Sequence, residues 1–232
     1  MEIRDRKAAQ RRAGIMARRG LPQAERAAAN AAICARILAM PCFQKAENLL
    51  LYAAFGGEVD LAVLAEQAAR LGKTAAYPVC GENFTLIAAV PGPDGWEVGA
   101  YGIRTPVLER AALVRPEALD LVLVPCTAFD ADCFRVGMGK GYYDRYLPRC
   151  KNAVKIGIAL EVQRVPPRRR GRPRPAAGRL YNREGYLHME MNDLSCAQFL
   201  AQLASKAPTP GGGGTAALVA LPVWHWATWW AA

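Results

Sequence analysis

Apolar and polar positions change period several times along this chain, and each change marks an element. Residues 1–20, MEIRDRKAAQRRAGIMARRG, carry basic residues at helical spacing and predict a basic helix, with Lys7 and Arg11 four apart on one face. Pro22 opens a second helix, from about Gln23 to Met40, with Ile33, Ile37 and Leu38 on its apolar side and Pro41 as its stop. NLLLY (48–52) is a continuous apolar run of the kind a buried parallel strand shows. After the loop FGGEVD, Leu61, Leu64, Ala65, Ala68 and Leu71 mark a helix that ends at Gly72. TAAYPV (74–79), FTLIAAV (84–90), DLVLVP (120–125) and VKIGIAL (154–160) read as further strands, and PGPDGWEVGAYGIRTP (91–106) as a Gly/Pro-rich loop. Strands alternating with helices predict an α/β fold with a mostly parallel sheet. Ligands of such sheets bind beyond the carboxyl ends of the strands, where the loops after Tyr52 and Pro125 fall.

The texture changes at Arg164. RVPPRRRGRPRPAAGR has no hydrophobic period and is saturated with Arg, Pro and Gly. Three parts follow: an α/β domain over 1–165, an irregular Arg/Pro-rich segment over 166–190, and a fragment with an apolar tail over 191–232 that is too short for a domain. The fold class is thus α/β followed by a poorly structured C-terminal tail. Four tryptophans crowd seven positions of the final stretch, LPVWHWATWWAA.

Composition changes this picture little. At 52% hydrophobic over 232 residues the chain can bury a core. Its net charge of +10 raises nucleic acid as a partner, yet eight arginines without one acid between Arg164 and Arg183 supply most of the excess. Seven cysteines, an odd number without CxxC pairing, form no disulfide framework and no zinc motif. The N-terminus lacks the apolar core of a secretory signal, and the one long apolar run is short and broken by Pro222 and His225. The expectation is a cytoplasmic, monomeric protein that engages neither membrane nor nucleic acid.

RVGMGKGYYDRYL (135–147) carries the chemistry. Gly137, Gly139 and Gly141 let the backbone approach a ligand and adopt positive φ. Successive N–H groups in such a loop can cradle an anion, a helix opening there adds its positive end, and Arg135, Lys140 and Arg145 add fixed charge. Together these favour phosphate, although the spacing is neither GxxxxGK[ST] nor GxGxxG. Asp144 beside a polyphosphate is a natural Mg²⁺ ligand; as alternatives it caps a helix or pairs with Arg145 or Arg149.

GMGKGYYDRYL preceded by DLVLVPCTAFD resembles the signature region of the 5-formyltetrahydrofolate cyclo-ligase (methenyltetrahydrofolate synthetase) family. KAAQR (7–11), GEVDLAVLAEQAARLGK (57–73), YGIRTP (101–106) and IGIALEVQ (156–163) agree in order and spacing, so the resemblance spans residues 3–165. It implies a three-layer, Rossmann-like domain whose sheet is flanked by helices. It also implies ATP-dependent closure of 5-formyltetrahydrofolate to 5,10-methenyltetrahydrofolate, with Mg²⁺ and release of ADP and phosphate. On that resemblance Lys7, Arg11, Arg135, Gly137, Met138, Gly139, Lys140, Gly141, Tyr142 and Tyr143 would bind ATP, with Lys140 and Glu58 catalytic. Asp144 would hold the metal, and Glu58 and Tyr143 would hold the folate, with Tyr52 a folate-site candidate by its position alone; otherwise Glu58 caps the helix at 59–71 and Tyr143 packs the core. Trp96 and Phe55 belong to the core or the pocket wall.

The family's continuation after IGIALEVQ, with a second acidic Mg²⁺ ligand and a last strand, does not follow here. FLAQLASKAPTPGGGGTAALVA (199–220) instead resembles the start of the formiminotetrahydrofolate cyclodeaminase family, over a fragment spanning 191–220. The rival readings of function are a non-catalytic folate- or nucleotide-binding protein of the same fold, and nucleic-acid binding through the basic segment. A reading-frame slip near Pro166, re-entering a neighbouring folate gene near Met189 or Met191 and slipping again near Leu221, accounts for this mixture; a genuine fusion is the alternative. Resequencing the DNA separates them: the slip predicts that the corrected frame continues the first family, and an unbroken frame encoding this same tail rules it out.

Overall fold

The computed structural model describes residues 3–130, 134–166 and 216–220. Its helices are α1 (Ile3–Gly20), α2 (Gln23–Ala39), α3 (Pro41–Lys45), α4 (Ala62–Arg70) and α5 (Tyr142–Tyr146). Its main sheet uses β1 (Asn48–Leu50), β2 (Thr74–Cys80), β3 (Leu86–Val90), β6 (Ala112–Val114), β7 (Leu121–Pro125), β10 (Val154–Leu160) and β11 (Ala216–Ala220), in the order β11-β10-β7-β1-β2-β3-β6. The four central strands, β10, β7, β1 and β2, run parallel. The outer strands β3, β6 and β11 pair antiparallel. Two small ribbons complete the set: β4 (Trp96–Val98) with β5 (Arg104–Pro106), and β8 (Ala128–Phe129) with β9 (Arg135–Val136).

Alternation along the strands builds three layers. Leu49, Leu51, Leu121, Leu123, Ile156 and Ile158 face Ile33 and Ile37 of α2, Phe43 of α3 and Leu64 of α4. Leu50, Val122 and Val124 point the other way, onto Tyr146, Leu147 and Cys150. A strand buried on both faces must read as a continuous apolar run, which is why NLLLY and DLVLVP are legible in sequence. Lys155 is the exception inside β10: it is buried because its ammonium donates to the Cys150 and Ala153 carbonyls. Burial pushes its pKa down.

The structure departs from the pattern in three places. The helix expected over 59–71 starts at Ala62, whose N–H donates to Asp60 Oδ1 at 2.9 Å, so Asp60 rather than Glu58 serves its first turn. The strand expected from Phe84 starts at Leu86, because Asn83 and Phe84 take φ of 53° and 57°. The 91–106 loop contains the β4–β5 ribbon, hidden from the pattern by its turn residues. The tail expected to be irregular lies outside the described residues except for β11, which pairs with β10 from Ile156 to Leu160.

Helix α1 crosses the sheet's carboxyl edge, contacting β8, β9 and the turn after β10. It passes so close to Thr127 that a β-carbon at Gly14 would collide with the Thr127 carbonyl oxygen. Gly14→Ala should therefore lower the melting temperature, despite the roughly 1 kcal/mol that alanine gains over glycine inside a helix. Overpacking costs about 1–3 kcal/mol, and the displaced Arg18 contacts described below add to it, so a fall of about 3–6 °C is expected in a thermal melt.

Candidate functional site

At the carboxyl edge α1, the loop after β1, the loop after β7 and the β9–α5 turn enclose a cavity of about 940 Å³. The sequence-selected residues come together on its wall. Lys7 and Arg11 enter from α1, Tyr52 and Glu58 from the loop after β1, and Arg135, Gly137, Met138, Gly139, Lys140, Gly141, Tyr142, Tyr143 and Asp144 from the glycine turn and α5. Phe55 lines the same wall, whereas Trp96 packs edge-on against Tyr77 at 4.8 Å with the Arg104 guanidinium over its ring.

The glycine turn is shaped by backbone need. Gly139 and Gly141 take φ of 100° and 74°, in the left-handed region that favours glycine, whereas Gly137, expected to do the same, does not. Arg11 Nε donates to the Gly137 carbonyl at 2.8 Å, and the Thr127 hydroxyl donates to the Val136 carbonyl at 2.8 Å. These bonds fix the turn against α1 and the loop after β7. Arg135 Nη2 meets Asp144 Oδ1 at 2.9 Å, so Asp144 pairs with Arg135. Arg145 donates to the Lys140 carbonyl at 3.0 Å, and the Lys140 ammonium lies 6.0 Å from the Phe84 ring centre. Because α5 has only five residues, the positive character here comes from these side chains more than from a helix dipole.

The opposite wall is built differently. Arg18, 1% exposed, extends from α1 behind the wall. Its Nη1 meets Glu58 Oε1 at 3.3 Å, and its Nε donates to the Gly56 carbonyl at 3.0 Å. Glu58 Oε2 accepts the Phe55 N–H at 3.2 Å. Burial raises the Glu58 pKa, and the Arg18 charge opposes that rise. Two phenols with buried hydroxyls, Tyr52 from the loop after β1 and Tyr143 from α5, line the cavity, and among the described residues neither hydroxyl has a hydrogen-bond partner. Burial raises both pKa values, so both hydroxyls remain protonated donors near neutrality. A polar ligand edge is what such hydroxyls require, since a buried polar atom without a partner costs about 1–3 kcal/mol.

Sequence reasoning missed Arg18, Phe84 and Tyr101. Arg18 sits in an arginine pair that reads as surface charge, although it shares the face of Lys7 and Arg11 by helical spacing. Phe84 and Tyr101 line the cavity from turns in which both take positive φ. Bulky side chains rarely adopt that geometry, and no sequence pattern announces it. Among the described residues no group of three or more His, Cys, Asp or Glu could hold a metal alone. Asp144 is a single carboxylate on the cavity wall, a donor set that suits a Mg²⁺ ion shared with ligand phosphates.

Comparison with known proteins gives this geometry a family. The chain is 28% identical over 150 residues to the probable 5-formyltetrahydrofolate cyclo-ligase of Schizosaccharomyces pombe, covering 59% of this chain and 74% of that protein. It is 30% identical over 145 residues to the Caenorhabditis elegans protein described in the same words, covering 57% and 70%. The NMR structure of Aquifex aeolicus 5,10-methenyltetrahydrofolate synthetase superposes with a TM-score of 0.63 at 29% identity, covering 78% of this chain and 99% of that one. The Mycoplasma pneumoniae 5,10-methenyltetrahydrofolate synthetase, at 24% identity and a TM-score of 0.57, covers 68% of this chain and 88% of its own and supports the fold. Residues 195–222 match the formiminotransferase-cyclodeaminase family, and β11 lies inside that segment. Residues 3–167, which carry the whole cavity, match the 5-formyltetrahydrofolate cyclo-ligase family, and the chain belongs to it.

Proposed function

We propose that this chain is a 5-formyltetrahydrofolate cyclo-ligase, which uses ATP to close its substrate to 5,10-methenyltetrahydrofolate. The observation that carries the reading is the two-sided cavity: a cationic glycine turn on one wall, the Glu58 carboxylate and Tyr52 on the other, and Tyr143 of α5 beside the turn, with both phenol hydroxyls lacking a partner among the described residues. A polyphosphate suits the first wall and the polar edge of a reduced folate suits the second.

The formyl oxygen of an amide-like group is a poor leaving group. Transfer of the γ-phosphoryl group from ATP to that oxygen forms a P–O bond and releases ADP. N10 then attacks the formyl carbon and loses its proton, the C–O bond breaks, and inorganic phosphate departs with the former formyl oxygen. The protein contributes position and charge neutralisation, as in phosphoryl transfer generally.

Each residue has a task in this scheme. Lys7, Arg11 and Arg135, with the backbone of Gly137–Gly141, hold the phosphates, and Met138 contributes its backbone only. Lys140 follows the charge on the transferring group. Tyr142 shapes the entrance beside Phe84, whose ring centre is 5.9 Å away. Glu58, Tyr52 and Tyr143 bind the folate edge that holds both donors and acceptors. Asp144 would hold Mg²⁺ together with phosphate oxygens; the ion supplies charge neutralisation on the transferring phosphates. The basic stretch after Pro166, the basis of the nucleic-acid reading, lies outside the described residues, and Arg164 at its edge pairs with Glu161 at 3.1 Å.

The full chain should form methenyl product, followed by its absorbance, only when ATP and Mg²⁺ are both present. Lys140→Ala should lower kcat by about 100-fold or more, the scale of losing one charge-stabilising donor. ADP release without methenyl product, or product formation indifferent to Lys140, would contradict the reading. Tyr52→Phe supplies an independent check. It removes a hydroxyl without a partner, so it should raise the melting temperature of the free protein by about 2–4 °C, equivalent to about 1 kcal/mol. The same change should raise KM for the folate severalfold and leave KM for ATP unchanged; a lower melting temperature with unchanged KM would show a packing role alone.

A further inference from the structure

We infer that Arg18 is a positioning residue for the reaction: from behind the cavity wall it fixes the direction and charge of the Glu58 carboxylate. The inference rests on the reading of Glu58 as a folate-binding group.

Arg18 does not line the cavity, so it acts through what it holds. Its guanidinium is committed on every side. Nε donates to the Gly56 carbonyl at 3.0 Å and Nη2 to the Phe55 carbonyl at 3.3 Å. Nη1 reaches both Glu58 Oε1 at 3.3 Å and the Cys126 carbonyl at 3.4 Å. One side chain of α1 therefore ties the loop after β1 to the end of β7. The turn it grips is compact: Gly56 and Gly57 take φ of 57° and 83°, and the Glu58 N–H donates to the Phe55 carbonyl at 3.2 Å. With Oε1 on Arg18 and Oε2 on the Phe55 N–H, the plane of the carboxylate is set from behind, and its remaining lone pairs are available to the cavity.

The surroundings make that grip consequential. Tyr52, Tyr143 and Cys126 also feel the Glu58 charge; all three are neutral near pH 7, and none of them can replace a cation. Among the described residues Arg18 forms the salt bridge of Glu58. A planar fork can satisfy a carboxylate and three carbonyls together; an ammonium at the same place can keep the charge but not the set of directions. The purely structural alternative is that Arg18 staples α1 in place and has no particular effect through Glu58. That staple would disturb Lys7 and Arg11 equally, because they ride on the same helix.

A double-mutant cycle on the full chain separates the two. Arg18→Met, Glu58→Gln and the pair are compared for the dissociation constants of 5-formyltetrahydrofolate and of a non-hydrolysable ATP analogue, with folding checked by circular dichroism. Positioning predicts that Arg18→Met weakens folate binding tenfold or more while nucleotide binding changes less than twofold. It further predicts that adding Arg18→Met to Glu58→Gln weakens folate binding less than twofold more. Arg18→Lys should restore part of the folate affinity, and it carries the cycle should the methionine variant not fold. Equal losses for folate and nucleotide, or the same loss with and without Glu58→Gln, would overturn the inference and leave the folate reading of Glu58 intact. A Glu58→Gln variant with undiminished folate affinity would overturn that reading and the inference with it.

Discussion

The docking of α1 across the carboxyl edge of the sheet is the constraint on which the rest depends. A parallel sheet leaves its strand ends open, and here a basic helix closes them. Lys7, Arg11, Gly14 and Arg18 fall four, three and four residues apart, and so on one face. Gly14 permits the close approach to Thr127, Arg11 holds the glycine turn, and Arg18 holds the Glu58 turn. The face from Lys7 to Arg18 runs about 17 Å at the rise of an α-helix. That length matches what the proposed reaction would need to bring phosphates and a second substrate together.

The two walls differ in how they manage charge. On the glycine side the cations stand along an open turn and Asp144 tempers Arg135, so an incoming polyphosphate meets excess positive charge. On the Glu58 side the charge is nearly balanced within a buried pair, and the unmet demand is for a hydrogen bond at Tyr52, a demand that Tyr143 of α5 shares from beside the glycine turn. Buried pairs stabilise a fold weakly, because desolvation cancels much of the attraction. The persistence of this pair in the wall of a cavity is better explained by direction than by stability.

Much of this was legible in the sequence for physical reasons. Strands buried on both faces read as apolar runs, so β1, β7 and β10 stood out, and Gly139 and Gly141, though not Gly137, adopt the positive φ that the glycine spacing announced. The ordered motifs of the cyclo-ligase family placed both walls in one site, and the cavity does bring those residues together. What escaped was tertiary. Arg18 cannot be told from its neighbour Arg19 until the helix is docked, and Phe84 and Tyr101 owe their places to strained turns. The β4–β5 ribbon hid behind glycines and prolines that also describe an ordinary loop. The cyclodeaminase-like segment gave no hint that Ala216–Ala220 would run beside β10 as an outer strand.

The central claim is that one cavity holds nucleotide phosphates against the glycine turn and the folate against the Glu58 turn, with α1 touching both. Amide hydrogen exchange on the full chain, with ATP·Mg²⁺ and with 5-formyltetrahydrofolate added separately, tests this most directly. The account predicts that nucleotide slows exchange at Gly137–Gly141 and in α1 around Lys7–Arg11, and that the folate slows it at residues 52–58. Protection by either ligand at a surface remote from the carboxyl edge of the sheet, with those segments unchanged, would contradict it.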